Sequence, residues 1–249
     1  METSINDKAI ICKNLTKRFG DFKAVDQITF DVDRGEIFGF LGANGAGKTT
    51  AMRILCGLSH PTSGEATVAG FDVYKQREKI KANIGYMSQK FSLYENLAVS
   101  ENIEFYGGVY GLSRSEIRTR SEKLITTLGL TKEAKKLVGE LPLGWKQKLA
   151  FSVAIFHRPK IVFLDEPTGG VDPVTRRQFW DLIYEAAADG ITVFVTTHYM
   201  DEAEYCNRIS VMVDGRVEAL DSPTNLKKEF NTHSMDDVFY QLARRAKRS

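Results

Sequence analysis

The chain has 249 residues, of which 43% are hydrophobic and 27% charged, and its formal net charge is +2. This is the composition of a globular protein long enough to bury a substantial core, and the balanced charge argues against a general nucleic-acid binder. No apolar run approaches the roughly 18 residues that a membrane-spanning helix needs, so any membrane role has to come through a partner.

In chain order, the opening segment METSINDKAIICK lacks the apolar stretch of a secretory signal. Ala9–Cys12 and Ile28–Val32 read as short strands, with turns at Gly20-Asp21 and at Arg34-Gly35-Glu36. Ile37–Leu41 is continuously apolar, as expected of a fully buried strand. A glycine-rich loop follows, and then a helix over Thr49–Leu58. Ile84–Met87 reads as another buried strand. From about Val99 to Phe156 the pattern is helical. Ile103, Tyr106, Val109 and Tyr110 share one face, and Ile117, Leu124, Ile125 and Leu128 fit a second helix. Strands resume at Ile161–Leu164, Thr192–Val195 and Ser210–Val213. A helix over Pro173–Ala188 lies between them, with proline at the favoured first turn. Asp214-Gly215 is a hairpin turn, Ser222-Pro223 starts a short helix, and Ser234 with Asp237 caps a last one containing Val238, Phe239 and Leu242. Alternating strand and helix implies an α/β fold with a largely parallel sheet.

Cys12, Cys56 and Cys206 lie far apart with no C-x-x-C pair, which suggests reduced, buried thiols. Arg244, Arg245, Lys247 and Arg248 cluster near the C-terminus. They read either as a solvated helix end or as a contact for anionic lipid headgroups.

Two motifs carry chemistry. Gly42-Ala43-Asn44-Gly45-Ala46-Gly47-Lys48-Thr49 matches the phosphate-loop pattern between a predicted strand and a predicted helix. Its glycines let backbone N–H groups turn inward as an anion nest, and the following helix start, including Thr50, adds its positive end. Lys48 can reach β- and γ-phosphates, and the Thr49 hydroxyl can ligate Mg²⁺. The second motif is the strand Ile161–Leu164 ending in Asp165 and Glu166. Charges at the end of a buried strand are costly unless something holds them. Asp165 suits Mg²⁺. Glu166 is expected on the opposite side of the strand, since side chains alternate, where it would polarise an attacking water.

Together these motifs resemble the ATP-binding cassette (ABC) transporter family. Further elements stand in the family's order. Gln89 resembles its glutamine loop, which meets Mg²⁺ and the attacking water. Asp172, in Thr168-Gly169-Gly170-Val171-Asp172-Pro173, resembles its aspartate loop. His198 resembles its switch histidine, and Phe19 lies where the family places an aromatic that stacks on adenine. The resemblance implies a P-loop NTPase (RecA-like) core over 1–88 and 158–220 with a small antiparallel β region. It also implies an inserted α-helical subdomain over 89–157 and a helical tail over 221–249. It further implies ATP and Mg²⁺ as ligands and hydrolysis of ATP to ADP and phosphate. Catalytic roles fall to Glu166, His198 and Gln89, and Mg²⁺ contacts to Thr49, Gln89 and Asp165. The expected partners are transmembrane permease subunits, met around Phe91, Leu93, Tyr94 and Phe105, together with a second cassette, identical or different. Nucleic acid is not expected. The expected location is the cytoplasmic face of the membrane.

One stretch departs from the family. Its signature L-S-G-G-Q corresponds here to Leu141-Pro142-Leu143-Gly144-Trp145, with a helix expected from Trp145. Gly144 survives and the serine hydroxyl is lost to Pro142, at roughly 1–3 kcal/mol if that bond meets a charged group. The loop is either degenerate or a working variant. L-P-L-G-W-K-Q resembles the version in cassettes of ABC-2-type bacterial exporters, as do Ser92–Leu97 and Thr197–Ala203. A non-hydrolysing partner cassette and a non-transport ABC ATPase are the other readings.

Overall fold

The computed structural model describes residues 7–246, so Lys247 and Arg248 of the basic cluster lie outside the described residues. Two long strands come first, β1 (Lys8–Phe19) and β2 (Phe22–Asp33), joined at Gly20-Asp21. Both run well beyond the segments expected from alternation. Their pairing shifts register between Cys12 and Leu15 and again before Arg18, and Asn14 and Gln27 take left-handed φ. Bulges of this kind break the two-residue period that would have marked the strands.

β3 (Ile37–Leu41) is buried at every position. α1 (Lys48–Leu55) follows the glycine-rich loop and stops short of Leu58, because the chain turns at Gly57 with φ +70°. β4 (Ser63–Val68), β5 (Phe71–Asp72) and α2 (Arg77–Asn83) were not expected; they are short, polar elements without a long apolar period. β6 (Ile84–Met87) is as expected. Three helices then follow: α3 (Val99–Val109), α4 (Arg114–Thr127) and α5 (Leu143–Ala154). In α3 the expected face splits, with Ile103 fully buried and Val109 63% exposed. α5 starts at Leu143, two residues before the expected Trp145, and Pro142 sits at its cap.

The remaining elements alternate. β7 (Ile161–Asp165) leads to α6 (Pro173–Ala188), where Asp172 caps the N-terminus by accepting from the N–H groups of Val174 and Thr175. β8 (Thr192–Thr197) is followed by a 3₁₀ segment, Met200–Tyr205. β9 (Arg208–Val213) and β10 (Arg216–Asp221) form a hairpin whose turn residues, Asp214 and Gly215, both have positive φ. α7 (Pro223–Glu229) is capped by Ser222, and α8 (Met235–Ala246) by Ser234, whose Oγ accepts from the Asp237 N–H at 3.2 Å.

The strands form two sheets. One is antiparallel, in the order β2-β1-β4-β5. The other has the order β10-β9-β3-β8-β7-β6 and is parallel except for the β9–β10 hairpin. Alternation along β3 sends Phe38 and Phe40 to one core and Ile37 and Leu41 to the other. In the first core the Phe194 ring lies 5.3–6.1 Å from the rings of Phe30, Phe38, Phe40 and Phe163, filling the space between the sheets. The second core joins the opposite face of the parallel sheet to α3, α5, α6 and α8. Arg208 at the start of β9 pairs with the buried Glu36 at 2.6 and 2.9 Å and also reaches Asp31 of β2. That ion pair ties the two sheets together at one end. Among the described residues, no helix is long and apolar enough to cross a membrane.

Truncating the central ring, Phe194→Ala, is expected to remove about 3–5 kcal/mol of stability, read as a shift in the urea midpoint. All three thiols are buried. Burial pushes the Cys12 thiol up to about 12 and also raises Cys56 and Cys206. Their thiolate fractions are therefore minute in mildly alkaline buffer. A thiol titration is expected to count none in the folded protein and three after denaturation.

Candidate functional site

β6, β7, β8 and β3 lie side by side and parallel, so their C-terminal ends open onto one edge. Ligand sites in open α/β sheets form at this edge. β3 runs into the glycine-rich loop, β7 ends at Asp165, β8 runs into Thr197-His198, and Gln89 stands two residues past β6. This topology gathers residues that are up to 156 positions apart in the chain (42 to 198).

The loop is shaped by close approach. Gly47 has φ +103°, and a Cβ there would stand 2.1 Å from the carbonyl oxygen of Ala24. Only glycine fits. Lys48, the first residue of α1, is almost wholly buried. Its Nζ donates to the carbonyls of Gly42 at 2.8 Å and Ala43 at 3.1 Å. Burial holds this amine below its ordinary 10.5, partly offset by Glu166, whose Oε1 lies 3.5 Å away.

Asp165 is buried at the end of β7. Its Oδ1 accepts from Thr196 Oγ1 at 2.7 Å and from Thr49 Oγ1 at 3.2 Å. A carboxylate beside a hydroxyl is the hard oxygen set that Mg²⁺ takes. Glu166 departs from the expectation based on strand alternation. β7 has ended, and Glu166 has φ +49°. Its carboxylate returns toward the loop rather than to the opposite face. Besides Lys48, its Oε2 accepts from Gln89 Nε2 at 2.9 Å and lies 3.1 Å from His198 Nδ1. That last contact is close but lacks hydrogen-bond alignment. Lys48, Gln89 and His198 thus surround one carboxylate.

Phe19 is 57% exposed rather than part of a core, with Lys17 Nζ 5.1 Å from its ring centre. It lines the cleft formed by Asn44, Gly45, Gly47, Lys48, Thr49, Thr50, Gln89 and Glu166. Gly42 and Ala46 are buried within the loop behind this lining. Gly144 and Asp172 stand elsewhere. A Cβ on Gly144 would come within 2.4 Å of the Thr175 methyl, and Thr175 Oγ1 donates to Asp172 at 2.6 Å. The two residues therefore meet at the start of α6, outside the cleft lining.

Two contributors were missed in the sequence. Phe22 also lines the cleft, because the Gly20-Asp21 turn pairs it with Phe19; the turn itself was the available signal. Thr196 holds Asp165, and the available signal was its hydroxyl directly after the apolar run Val193–Val195.

A profile described as ABC transporter matches residues 25–169. The chain belongs to the ABC transporter family, as one of its ATP-binding proteins. It is 47% identical over 247 residues to a probable multidrug ABC transporter ATP-binding protein, YbhF, of Escherichia coli K12. That match covers 97% of this chain and 43% of the relative, so the chain spans less than half of that relative's length. It is 36% identical to the linearmycin resistance ATP-binding protein LnrL of Bacillus subtilis 168, covering 86% of this chain and 69% of the relative. An ATP-binding cassette solved as a dimer in a post-hydrolysis state, with ADP and phosphate bound, superposes with a TM-score of 0.77 at 28% identity. That superposition covers 86% of this chain and 98% of the other.

The lowered Lys48 amine has a measurable consequence. In the free site it loses its proton at a lower pH than an exposed lysine, whereas a bound phosphate favours the charged form. ATP affinity is therefore expected to begin falling at a pH below 10.5, with proton uptake on binding in that range. Calorimetry in buffers of differing ionisation enthalpy measures both.

Proposed function

We propose that the chain hydrolyses ATP at this cleft and drives export of a substrate through separate membrane-spanning subunits. The observation that carries this reading is the single carboxylate of Glu166, held among Lys48, Gln89 and His198 beside the loop. Such an arrangement can hold a water for in-line attack and stabilise charge on the phosphoryl oxygens.

Each residue has a distinct task. The backbone of Gly42, Asn44, Gly45, Ala46 and Gly47 cradles the phosphates, with Thr50 in the first turn of α1. Lys48 exchanges its two carbonyl partners for β- and γ-phosphate oxygens. Thr49 and Asp165, with Gln89, would hold Mg²⁺, which when bound neutralises phosphate charge. Glu166 takes the proton of the attacking water, and His198 donates to the γ-phosphate. Phe19 stacks on adenine. Most of the acceleration comes from positioning and electrostatics.

Gly144 and Asp172 complete the site of a second cassette in a head-to-tail pair, identical or different. α5 begins at Leu143, so the N–H groups of Leu143 and Gly144 have no partner within the helix, while Trp145 and Lys146 both bond to Pro142. Those free donors point to a working signature loop despite Pro142. ATP then binds the closed pair better than the open one, and loss of the γ-phosphate releases it. In this reading 1–88 and 158–220 form the nucleotide-binding core, 89–157 the helical subdomain and 221–249 the tail. Tyr94 and Phe105 are exposed and pack edge to face at 5.0 Å, with Phe91 half-buried nearby. They offer an apolar surface to the permease, whereas Leu93 is core. The cassette would thereby sit on the cytoplasmic face of the membrane.

Glu166→Gln is expected to lower ATP turnover by about 10²–10⁴-fold while ATP binding persists and the mass doubles in Mg-ATP, read by phosphate release and light scattering. Turnover by this variant equal to wild type removes the role assigned to Glu166. ATP binding by the wild type with neither turnover nor pairing favours the partner-cassette reading.

A further inference from the structure

A second buried carboxylate lies behind the site. Glu202, in the 3₁₀ segment four residues after His198, is fully buried. Its Oε1 accepts from the hydroxyl of Thr168, which is also buried. Its Oε2 has no hydrogen-bond partner, and Oε1 is ion-paired with Arg176 Nε at 3.6 Å, beyond hydrogen-bond distance. A carboxylate in the interior with half its acceptors unused is costly. Packing does not require it, because an apolar side chain of similar size would fill the same space at less cost.

What the carboxylate joins gives it a purpose. Thr168 lies within the loop that begins at Glu166 and ends at Asp172. Glu202 lies on the segment that carries His198. A second link runs in parallel at the surface. Arg176, in the first turns of α6, lies 4.2 Å from the Tyr199 ring centre and 3.3 Å from Asp201. On its other side the loop is held by Gln147 of α5, whose Nε2 donates to the Gly169 carbonyl at 3.0 Å. The loop is thus pinned from two directions, by α5 and by the segment after β8. α7 and α8 support that segment from outside, with Lys227 pairing Glu204 at 2.6 Å and Met235 and Val238 packed in one core with Met200 and Ala203.

We infer that Glu202 is a positioning residue for hydrolysis: through Thr168 it fixes the Glu166–Asp172 loop to the His198 segment, so that the water-activating carboxylate, the γ-phosphate contact and the cross-subunit aspartate keep one relative geometry. The inference rests on the proposed hydrolytic function. A carboxylate is suited to the task because a charged acceptor roughly doubles the strength of the Thr168 bond.

The test uses the purified full chain with two readouts, ATP turnover and amide hydrogen exchange. Thr168→Val removes the hydroxyl at almost constant volume, Thr168→Ser keeps it, and Glu202→Gln keeps the shape without the charge. Within the loop, the Gly169 N–H donates to the Glu166 carbonyl and the Val171 N–H to that of Thr168, at 3.2 and 3.4 Å. In Thr168→Val these two amides are expected to exchange at least tenfold faster, and kcat to fall at least tenfold with KM for ATP within threefold. Thr168→Ser is expected to restore both, and Glu202→Gln to show both effects in weaker form. The double variant Thr168→Val/Glu202→Gln is expected to lose no more than Thr168→Val alone. Unchanged exchange and kcat in folded Thr168→Val and Glu202→Gln, with only a lower melting temperature, overturn the inference. Absence of turnover in the wild type defeats the hydrolytic reading instead, and the exchange readout still decides whether Glu202 holds the loop.

Discussion

A lysine ammonium is kept almost out of water at the end of a parallel sheet, with two backbone carbonyls as its hydrogen-bond acceptors and a carboxylate 3.5 Å away. Charge in such a place is expensive unless oxygen atoms surround it. The surrounding structure supplies them. β3 brings the Gly42 and Ala43 carbonyls, β7 brings Asp165 and Glu166, and β8 brings Thr196, which secures Asp165. The phenylalanine cluster beneath and the Arg208–Glu36 pair keep these strands in register. A ligand rich in negative charge offers the same ammonium further oxygen partners.

The sequence made the central strands easy to read because they are buried on both faces. Ile37–Leu41 and Ile161–Leu164 are continuous apolar runs, and the chemistry sits immediately beyond them. The edge of the fold was harder to read. β4 is SGEATV, and β5 has two residues. Their strand character comes from pairing, β4 with β1 and β5 with β4, a cause that local pattern does not register. Within the site, residue identities were readable and directions were not. Alternation sent Glu166 away from Asp165, yet one residue at φ +49° brought it back toward Lys48. Likewise α5 starts earlier than its composition suggested, since Pro142 serves as its cap.

Three loops from three strands are bound together by side-chain hydrogen bonds. Gln89 and Glu166 share a hydrogen bond, Thr168 and Glu202 another, and Gln147 and Gly169 a third. Cooperation within such networks exceeds what single bonds suggest. The arrangement favours a site that changes as a unit, and it gives the helical stretch around α5 a direct polar connection to the loop that follows Glu166.

Gly144 carries a different lesson. Its missing side chain is required by Thr175 of its own chain, 2.4 Å from where a Cβ would stand. Selection on that position therefore acts on each chain individually, before any pairing. Any side chain at this position must first displace the Thr175 methyl that seats α5 on α6. Neighbouring Pro142 and Leu143 are exposed and free of that constraint. These two positions, rather than the glycine, are where the loop can change without disturbing the seat of α5 on α6.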